Sequence, residues 1–250
     1  MAPKSKKSAQ KTTLDAAPTP SPPDWPVLAP LPHPDDLALS SLLENQIITI
    51  SNLWPSSLCK KYVNFLSGLP LVTTPGVPKR GDAVRVNDRF QVEDELFAQR
   101  LWNETGLKSL VTNAIVDGKA LSEGEKAALW GGHVLGLNKN IRIYRYKKGQ
   151  FFDQHYDESN NVDFDGIPAR TTWTLLLYLS SPLTGCLGGE TVFYQDPQSR
   201  RAVPLPPIIA EPAVGMCLLH RHGADCLIHE GREVLEGEKW VVRSDLCVRR

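Results

Sequence analysis

YKKGQFFDQHYD (residues 146–157) is the stretch on which the reading of this 250-residue chain turns. The run Lys147-Lys148-Gly149 is a turn signal, and the aromatic-rich QFFDQHY (150–156) after it reads as a β-strand. Successive side chains of a strand alternate between faces, so residues two apart point the same way. His155 and Asp157 are so placed and can grip one metal ion from adjacent positions. The pair is weak evidence alone, because triplets this short recur by chance. The chain supplies its own decoy in His33-Pro34-Asp35, in a proline-rich segment where nothing would hold two ligands rigid.

Outward from this stretch the sequence is β-like on both sides. NIRIYRY (140–146), TTWTLLLYL (171–179), ETVFY (190–194), VGMCLLH (214–220) and KWVVRSDLCV (239–248) are rich in β-branched and aromatic residues. Turn signals separate them at 166–168, at GCLGG (185–189) and at PLPP (204–207). Before residue 133 the pattern is mixed. IITI (47–50) predicts a strand. Ser56 and Ser57 are candidate caps for a helix carrying Leu58, Tyr62, Phe65 and Leu66 at helical spacing, stopping at Gly68 and Pro70. A second helix is expected after Val92, with Leu96, Phe97 and Leu101 on one face, and a third through LKSLVTNAI (107–115). A helical segment followed by six or more strands predicts a mainly β, α+β fold: a double-stranded β-helix, or jelly-roll barrel, flanked by helices.

A facial metal triad needs a second histidine from another strand. His133, His220, His222 and His229 are the candidates. His133 follows two glycines and reads as a turn residue; His220 and His222 would share a strand face as a pair of their own. His229 stands apart because it opens HEGREVLEGEKW (229–240), which places Lys239 ten residues on, across a stretch able to form a hairpin. A lysine on the returning strand could point into the barrel beside the metal.

The chain here resembles the prolyl 4-hydroxylase-like branch of the iron(II)- and 2-oxoglutarate-dependent oxygenases. The blocks YKKGQFFDQHYD (146–157), RTTWTLLLYLS (170–180), GGETVFY (188–194) and HEGREVLEGEKW (229–240) carry the likeness, in the family's order, over roughly the C-terminal 110 residues. The resemblance implies Fe(II) held by His155, Asp157 and His229. It implies 2-oxoglutarate bound through Lys239, Tyr146 and Thr191, with dioxygen as oxidant and ascorbate as a further candidate cofactor. The implied reaction is oxidative decarboxylation to succinate and carbon dioxide, coupled to hydroxylation of a substrate. The chemistry suits these residues. Two neutral imidazoles and a carboxylate leave an octahedral Fe(II) open positions for a bidentate 2-oxo acid and dioxygen. A buried ammonium forms a charge-assisted bond with the far carboxylate, and hydroxyls satisfy its remaining lone pairs. Outside this context Tyr146 and Thr191 would read as core and Lys239 as a solvated strand residue. Arg243 shares the face of Lys239 and is its rival as anchor; the family spacing favours Lys239.

Residues 1–40 read as a separate disordered or extended tail, Lys-rich and then Pro-rich, with the oxygenase domain at 41–250. Within that domain 41–132 would supply helical support and a substrate loop, and 133–250 the barrel core. Eight of the twenty prolines fall between Pro18 and Pro34, a composition poor in backbone donors and in apolar surface. Lys4, Lys6, Lys7 and Lys11 could form a nuclear-localisation or anionic-surface patch, against the plainer reading of a solvated tail. Lys+Arg and Asp+Glu both number 28, and this balance argues against nucleic acid as a partner. No run approaches a membrane span, and no apolar stretch follows the basic N-terminus, which predicts a cytoplasmic or nuclear protein. The five widely spaced cysteines, with no C-x-x-C pair, predict reduced thiols. A monomer is expected. The expected substrate is a protein side chain such as proline, or alternatively a small molecule or modified nucleobase; a silent metal-binding barrel is disfavoured by the intact triad with Lys239. Val84 to Phe90 could form a polar clamp over the site, or Asp88 and Arg89 a structural ion pair.

Overall fold

The computed structural model describes residues 21–74, 76, 83–195 and 205–250. Lys4, Lys6, Lys7 and Lys11 lie outside the described residues, as do 75 and 77–82.

Nine strands carry the fold: β1 (Ile47–Ile50), β2 (Asp88–Glu93), β3 (Asn140–Lys147), β4 (Phe151–His155), β5 (Ile167–Tyr178), β6 (Thr191–Tyr194), β7 (Cys217–Arg221), β8 (Ile228–Gly231) and β9 (Glu238–Arg249). The larger sheet is antiparallel in the order β1-β7-β5-β9-β3-β2, extended at its edges by Ser40–Leu43 and Val72–Thr73. The smaller sheet runs β6-β8-β4, with Ile208–Ala210 beside β6 and Arg85–Val86 beside β4. This is the expected jelly roll, as two facing sheets: among the described residues no strand pair joins one to the other.

The two-residue period of the long strands divides the molecule into layers. Ile141 and Ile143 of β3, Trp173, Leu175 and Leu177 of β5, and Trp240 and Val242 of β9 face the helices and join their core. The alternate residues face the smaller sheet: Tyr144, Tyr146, Tyr178, Leu218 and Val241 pack there against Phe193 and Ala210. The candidate site lies in this second layer.

Four helices cover the outer face. α1 (Ser56–Leu66) buries Leu58, Cys59, Tyr62 and Leu66; Pro55 precedes its first turn, and neither Ser56 nor Ser57 acts as cap. Pro at that point already fixes the helical entry, since its φ is preset and it lacks an N–H to satisfy. α2 (Glu95–Glu104) is capped by Asp94, which accepts from the Phe97 N–H at 2.9 Å. Its inner face is Phe97, Ala98, Leu101 and Trp102, which turns the adjacent Leu96 outward, 69% exposed. α3 (Leu107–Thr112) stops short of the expected 115, because Ile115–Val116 pair with Lys119–Ala120. α4 (Glu123–Trp130) was not anticipated, although Ser122 and Glu125 form the reciprocal capping box its sequence advertises.

The reading of 1–40 as a tail fails for 21–40. Trp25, Leu28, Leu37 and Leu39 are buried in the helix-side core. Trp25 stacks on Phe97 with centroids 4.0 Å apart and donates its indole N–H to Asp94 at 2.6 Å. The Tyr62 hydroxyl donates to the Pro26 carbonyl at 2.7 Å, strapping the segment across α1 and α2. A proline-rich strap needs no ladder of backbone donors when it docks through apolar side chains and lends carbonyls as acceptors.

Candidate active site

Antiparallel pairing of β4 with β8 sets His155 directly opposite His229. Their rings lie 4.2 Å apart, and Asp157, just beyond the end of β4, turns back towards both. His155 Nε2 is 3.8 Å from Asp157 Oδ1 and His229 Nε2 is 3.9 Å from Asp157 Oδ2. One donor atom from each of the three lies within 4.8 Å of the others, a span one ion can bridge. Each imidazole is aimed by its own backbone: Nδ1 of His155 sits 2.8 Å from the Asp153 carbonyl and Nδ1 of His229 2.9 Å from that of Leu227. Those contacts assign Nδ1 as the protonated nitrogen and leave the Nε2 lone pairs free to ligate.

Protonation states suit a cation. Burial pushes the His155 imidazole down to about 3, helped by His229 and opposed by Asp157. Burial lowers His229 as well. Burial works against an ionised Asp157, but the Arg243 guanidinium beside it prevails and holds the carboxyl well below its usual 3.8. Arg243 reaches it with Nη2–Oδ2 at 2.9 Å and Nη1–Oδ1 at 3.2 Å, and Thr174 donates its hydroxyl to Oδ2 at 2.8 Å. Two neutral imidazoles and one ionised carboxylate, each oriented by a second partner, therefore fit a divalent ion, as the oxygenase resemblance requires.

The residues expected to bind the cosubstrate share the cavity. Tyr146, Thr191 and Lys239 line it together with His155, Asp157 and His229, so all six sequence-derived positions converge. Lys239 is directly opposite Tyr146 across the β9–β3 ladder. Its ammonium lies 5.5 Å from the Tyr146 ring centre and 5.3 Å from that of Tyr178. Lys239 is buried and makes no ion pair among the described residues; burial lowers it to about 8, with Cys186 and Glu190 opposing. The Tyr178 and Thr191 hydroxyls share a hydrogen bond of 2.7 Å. Gly189, at φ +74°, lets the loop pass this pocket: a Cβ there would stand 3.0 Å from the Lys239 Cδ.

Arg243, the rival anchor, lines the same cavity but is committed to Asp157. The sequence reading missed Tyr178 and Thr174, although both fall on the site-facing period of β5. It also set aside His220, which lines the cavity. A second compact donor set, His220, Cys226 and His229, shares one histidine with the first. Asp88 pairs with Arg145 and Lys147, and accepts from Thr73 at 2.6 Å. Its role is structural, and its partners are those residues rather than Arg89.

Residues 141–244 match the family model described as the 2OG-Fe(II) oxygenase superfamily. Among solved structures, a prolyl hydroxylase from Trichoplax adhaerens is similar at 16% identity, covering 81% of this chain and 84% of that one, with TM-score 0.52. A viral collagen prolyl hydroxylase from Paramecium Bursaria Chlorella virus-1 matches at 18% identity over 81% and 96% of the two chains, TM-score 0.49. A Pseudomonas putida prolyl-4-hydroxylase matches at 15% identity over 83% and 95%, TM-score 0.47. No curated protein sequence matches the chain. The fold is thus a jelly roll, as in the Trichoplax structure. The segment 141–244 is similar to the 2OG-Fe(II) oxygenase superfamily, whose enzymes use Fe(II), 2-oxoglutarate and dioxygen.

Proposed function

We propose that this oxygenase hydroxylates a protein side chain, with proline the first candidate, using Fe(II) held by His155, Asp157 and His229. The observation that carries the reading is one cavity joining this donor set to a buried lysine that has no carboxylate partner of its own among the described residues. A dicarboxylate with one end at the metal and the other at Lys239 completes both halves.

Each residue then has a physical task. Arg243 and Thr174 keep Asp157 ionised and aimed. The carbonyls of Asp153 and Leu227 fix the imidazole tautomers. The Lys239 ammonium attracts the far carboxylate of 2-oxoglutarate, with the Tyr146 and Thr191 hydroxyls beside it, in a pocket that excludes water and so strengthens each bond. When bound, Fe(II) supplies the coupling of cosubstrate decarboxylation to oxygen insertion into a substrate C–H bond.

A polypeptide substrate is supported by the mouth of the site. The Arg85 guanidinium lies 4.2 Å from the ring centre of Phe152, which lines the cavity. The short strand Arg85–Val86 flanks β4 at Phe151 and Phe152, where extended backbone can align a peptide. The Trichoplax hydroxylase of similar fold was captured with a hypoxia-inducible-factor peptide fragment. Five free, buried cysteines fit a reducing compartment such as the cytoplasm or nucleus. No described helix is long and apolar enough to cross a membrane.

The test is mass spectrometry of a proline-containing peptide library incubated with the Fe(II)-loaded protein, 2-oxoglutarate and ascorbate, the further cofactor proposed. A gain of one oxygen atom on peptides, matched by succinate, supports the reading. Succinate release stimulated by small metabolites or oligonucleotides, and by no peptide, refutes the protein-substrate assignment.

A further inference from the structure

The stretch Val84 to Phe90 brings two arginines to the edge of the active-site cavity. Arg85, on the short strand beside β4, stands directly opposite Phe152, and Arg89 of β2 directly opposite Tyr144 of β3. The Arg85 guanidinium lies 4.2 Å from the Phe152 ring centre and 5.4 Å from that of Tyr144, and the Arg89 guanidinium 6.0 Å from that of Tyr144. Both rings line the cavity that holds the metal donors, and Phe152 stacks on His155 with centroids 3.5 Å apart. Arg85 is thus one aromatic ring removed from a candidate metal ligand.

Positive charge gathers here without an equal share of carboxylates. Burial works to raise the Tyr144 hydroxyl, but Arg243, Arg142, Arg85 and Arg89 around it prevail and hold it below its usual 10. Arg243 is paired with Asp157, and Arg142 with Asp245. Arg85 and Arg89 pair with no carboxylate among the described residues. The neighbouring Asp88 is taken by Arg145 and Lys147, and Glu230 of the cavity wall by Tyr194 and Arg232. Arg89 donates to Gln91, whereas Arg85 Nη1 is buried without a hydrogen-bond partner. A ring face attracts a guanidinium but leaves its N–H edge unsatisfied, and a buried unpaired donor is costly.

We propose that Arg85 and Arg89 select a substrate peptide carrying an aspartate or glutamate close to the residue that is oxidised. This deepens the peptide-substrate reading above and rests on it. A carboxylate is planar and matches the guanidinium fork with two parallel bonds. An extended chain advances about 3.3 Å per residue, so an acidic side chain within about three positions of the reacting residue reaches the two arginines.

The experiment is fluorescence anisotropy of labelled, proline-centred peptide pools on the full-length protein loaded with Fe(II) and 2-oxoglutarate, without oxygen so that nothing turns over. The pools are identical except at the flanking positions, which carry Asp/Glu, Asn/Gln, phosphoserine or Lys. The Asp/Glu pool should bind at least about ten-fold more tightly than the Asn/Gln pool, with a difference that shrinks as salt rises. Arg85→Glu combined with Arg89→Glu should turn the preference towards lysine, which a mere loss of packing would not do; an unchanged preference would overturn the proposal. If the double variant does not fold, the wild-type contrast between the Asp/Glu and Asn/Gln pools decides. Equal binding of those two pools would overturn the role of the arginines and leave the peptide reading intact. Binding of no pool would overturn both. A preference confined to phosphoserine would overturn the carboxylate assignment.

Discussion

Substituting Lys239 with methionine should make the protein more stable and a worse enzyme. The side chain is buried, and burial lowers its ammonium from 10.5 to about 8. At 1.36 kcal/mol per unit, holding the charged form in the folded state costs about 3 kcal/mol at neutral pH. The nearby Tyr146 and Tyr178 rings return part of this, so the net gain on replacement is on the order of 1–3 kcal/mol. The sign follows from linkage. The folded-state value lies below the unfolded one, so the penalty is fully present below pH 8 and is relieved as pH rises from 8 towards 10.5. Chemical denaturation of the metal-free protein should therefore show Lys239→Met more stable at pH 7, with the advantage shrinking above pH 8. Cosubstrate binding should move oppositely. A charge-assisted bond contributes roughly 1.5–3 kcal/mol, so KM for 2-oxoglutarate should rise at least about ten-fold. In wild type the free lysine must be protonated to receive the dianion, so KM should climb with each pH unit above about 8. A Lys239→Met protein that is destabilised, turns over 2-oxoglutarate with unchanged KM and keeps the wild-type pH profile would refute the reasoning.

Single alanine substitutions of His155, Asp157 or His229 should abolish metal binding and succinate formation while leaving the circular dichroism spectrum unchanged. Arg243→Met should weaken metal affinity roughly 10- to 100-fold through Asp157, with little change in KM for 2-oxoglutarate at saturating metal; isothermal titration separates the two. Because His155 is pushed down to about 3 and Asp157 lies well below 3.8, metal affinity measured between pH 6 and 8 should be nearly flat, with release only in acid. Trp25→Ala should lower stability by about 3–5 kcal/mol in denaturant, as expected for a buried tryptophan; a change within the error of the measurement would show that the proline-rich strap contributes nothing to the core.

Local periodicity made most of the site legible. Two-residue spacing brought His155 and Asp157 together, although Asp157 lies past the end of β4 and reaches the site by turning back, and the ten residues from His229 to Lys239 cross from β8 in the smaller sheet to β9 in the larger rather than forming the expected hairpin. The jelly roll itself was readable from β-branched runs between turn signals, since each strand's pattern reflects the two layers it separates. The helix caps were less so. Ser56 reads as a cap only until Pro55 is seen to set the turn, whereas the Ser122–Glu125 box was present and overlooked. Composition misjudged 21–40, because proline content describes which backbone bonds a segment lacks and not which surface its few apolar side chains will meet. Trp25 is buried only because Phe97 and Asp94, some seventy residues later, form its pocket. The division of labour between the two cations was also beyond the sequence. Lys239 and Arg243 share a strand face, and only the return of Asp157 from the end of β4 decides that Arg243 holds the carboxylate while Lys239 is left free for a ligand. The same holds for His220: a histidine inside LLHRH has no visible partner in one dimension, and pairing of β7 with β5 in the larger sheet, with β8 packed opposite, is what brings its ring beside that of His229. Sequence fixes which groups a strand presents to a face; which groups from distant strands meet there is set by sheet packing, whose contacts are non-local.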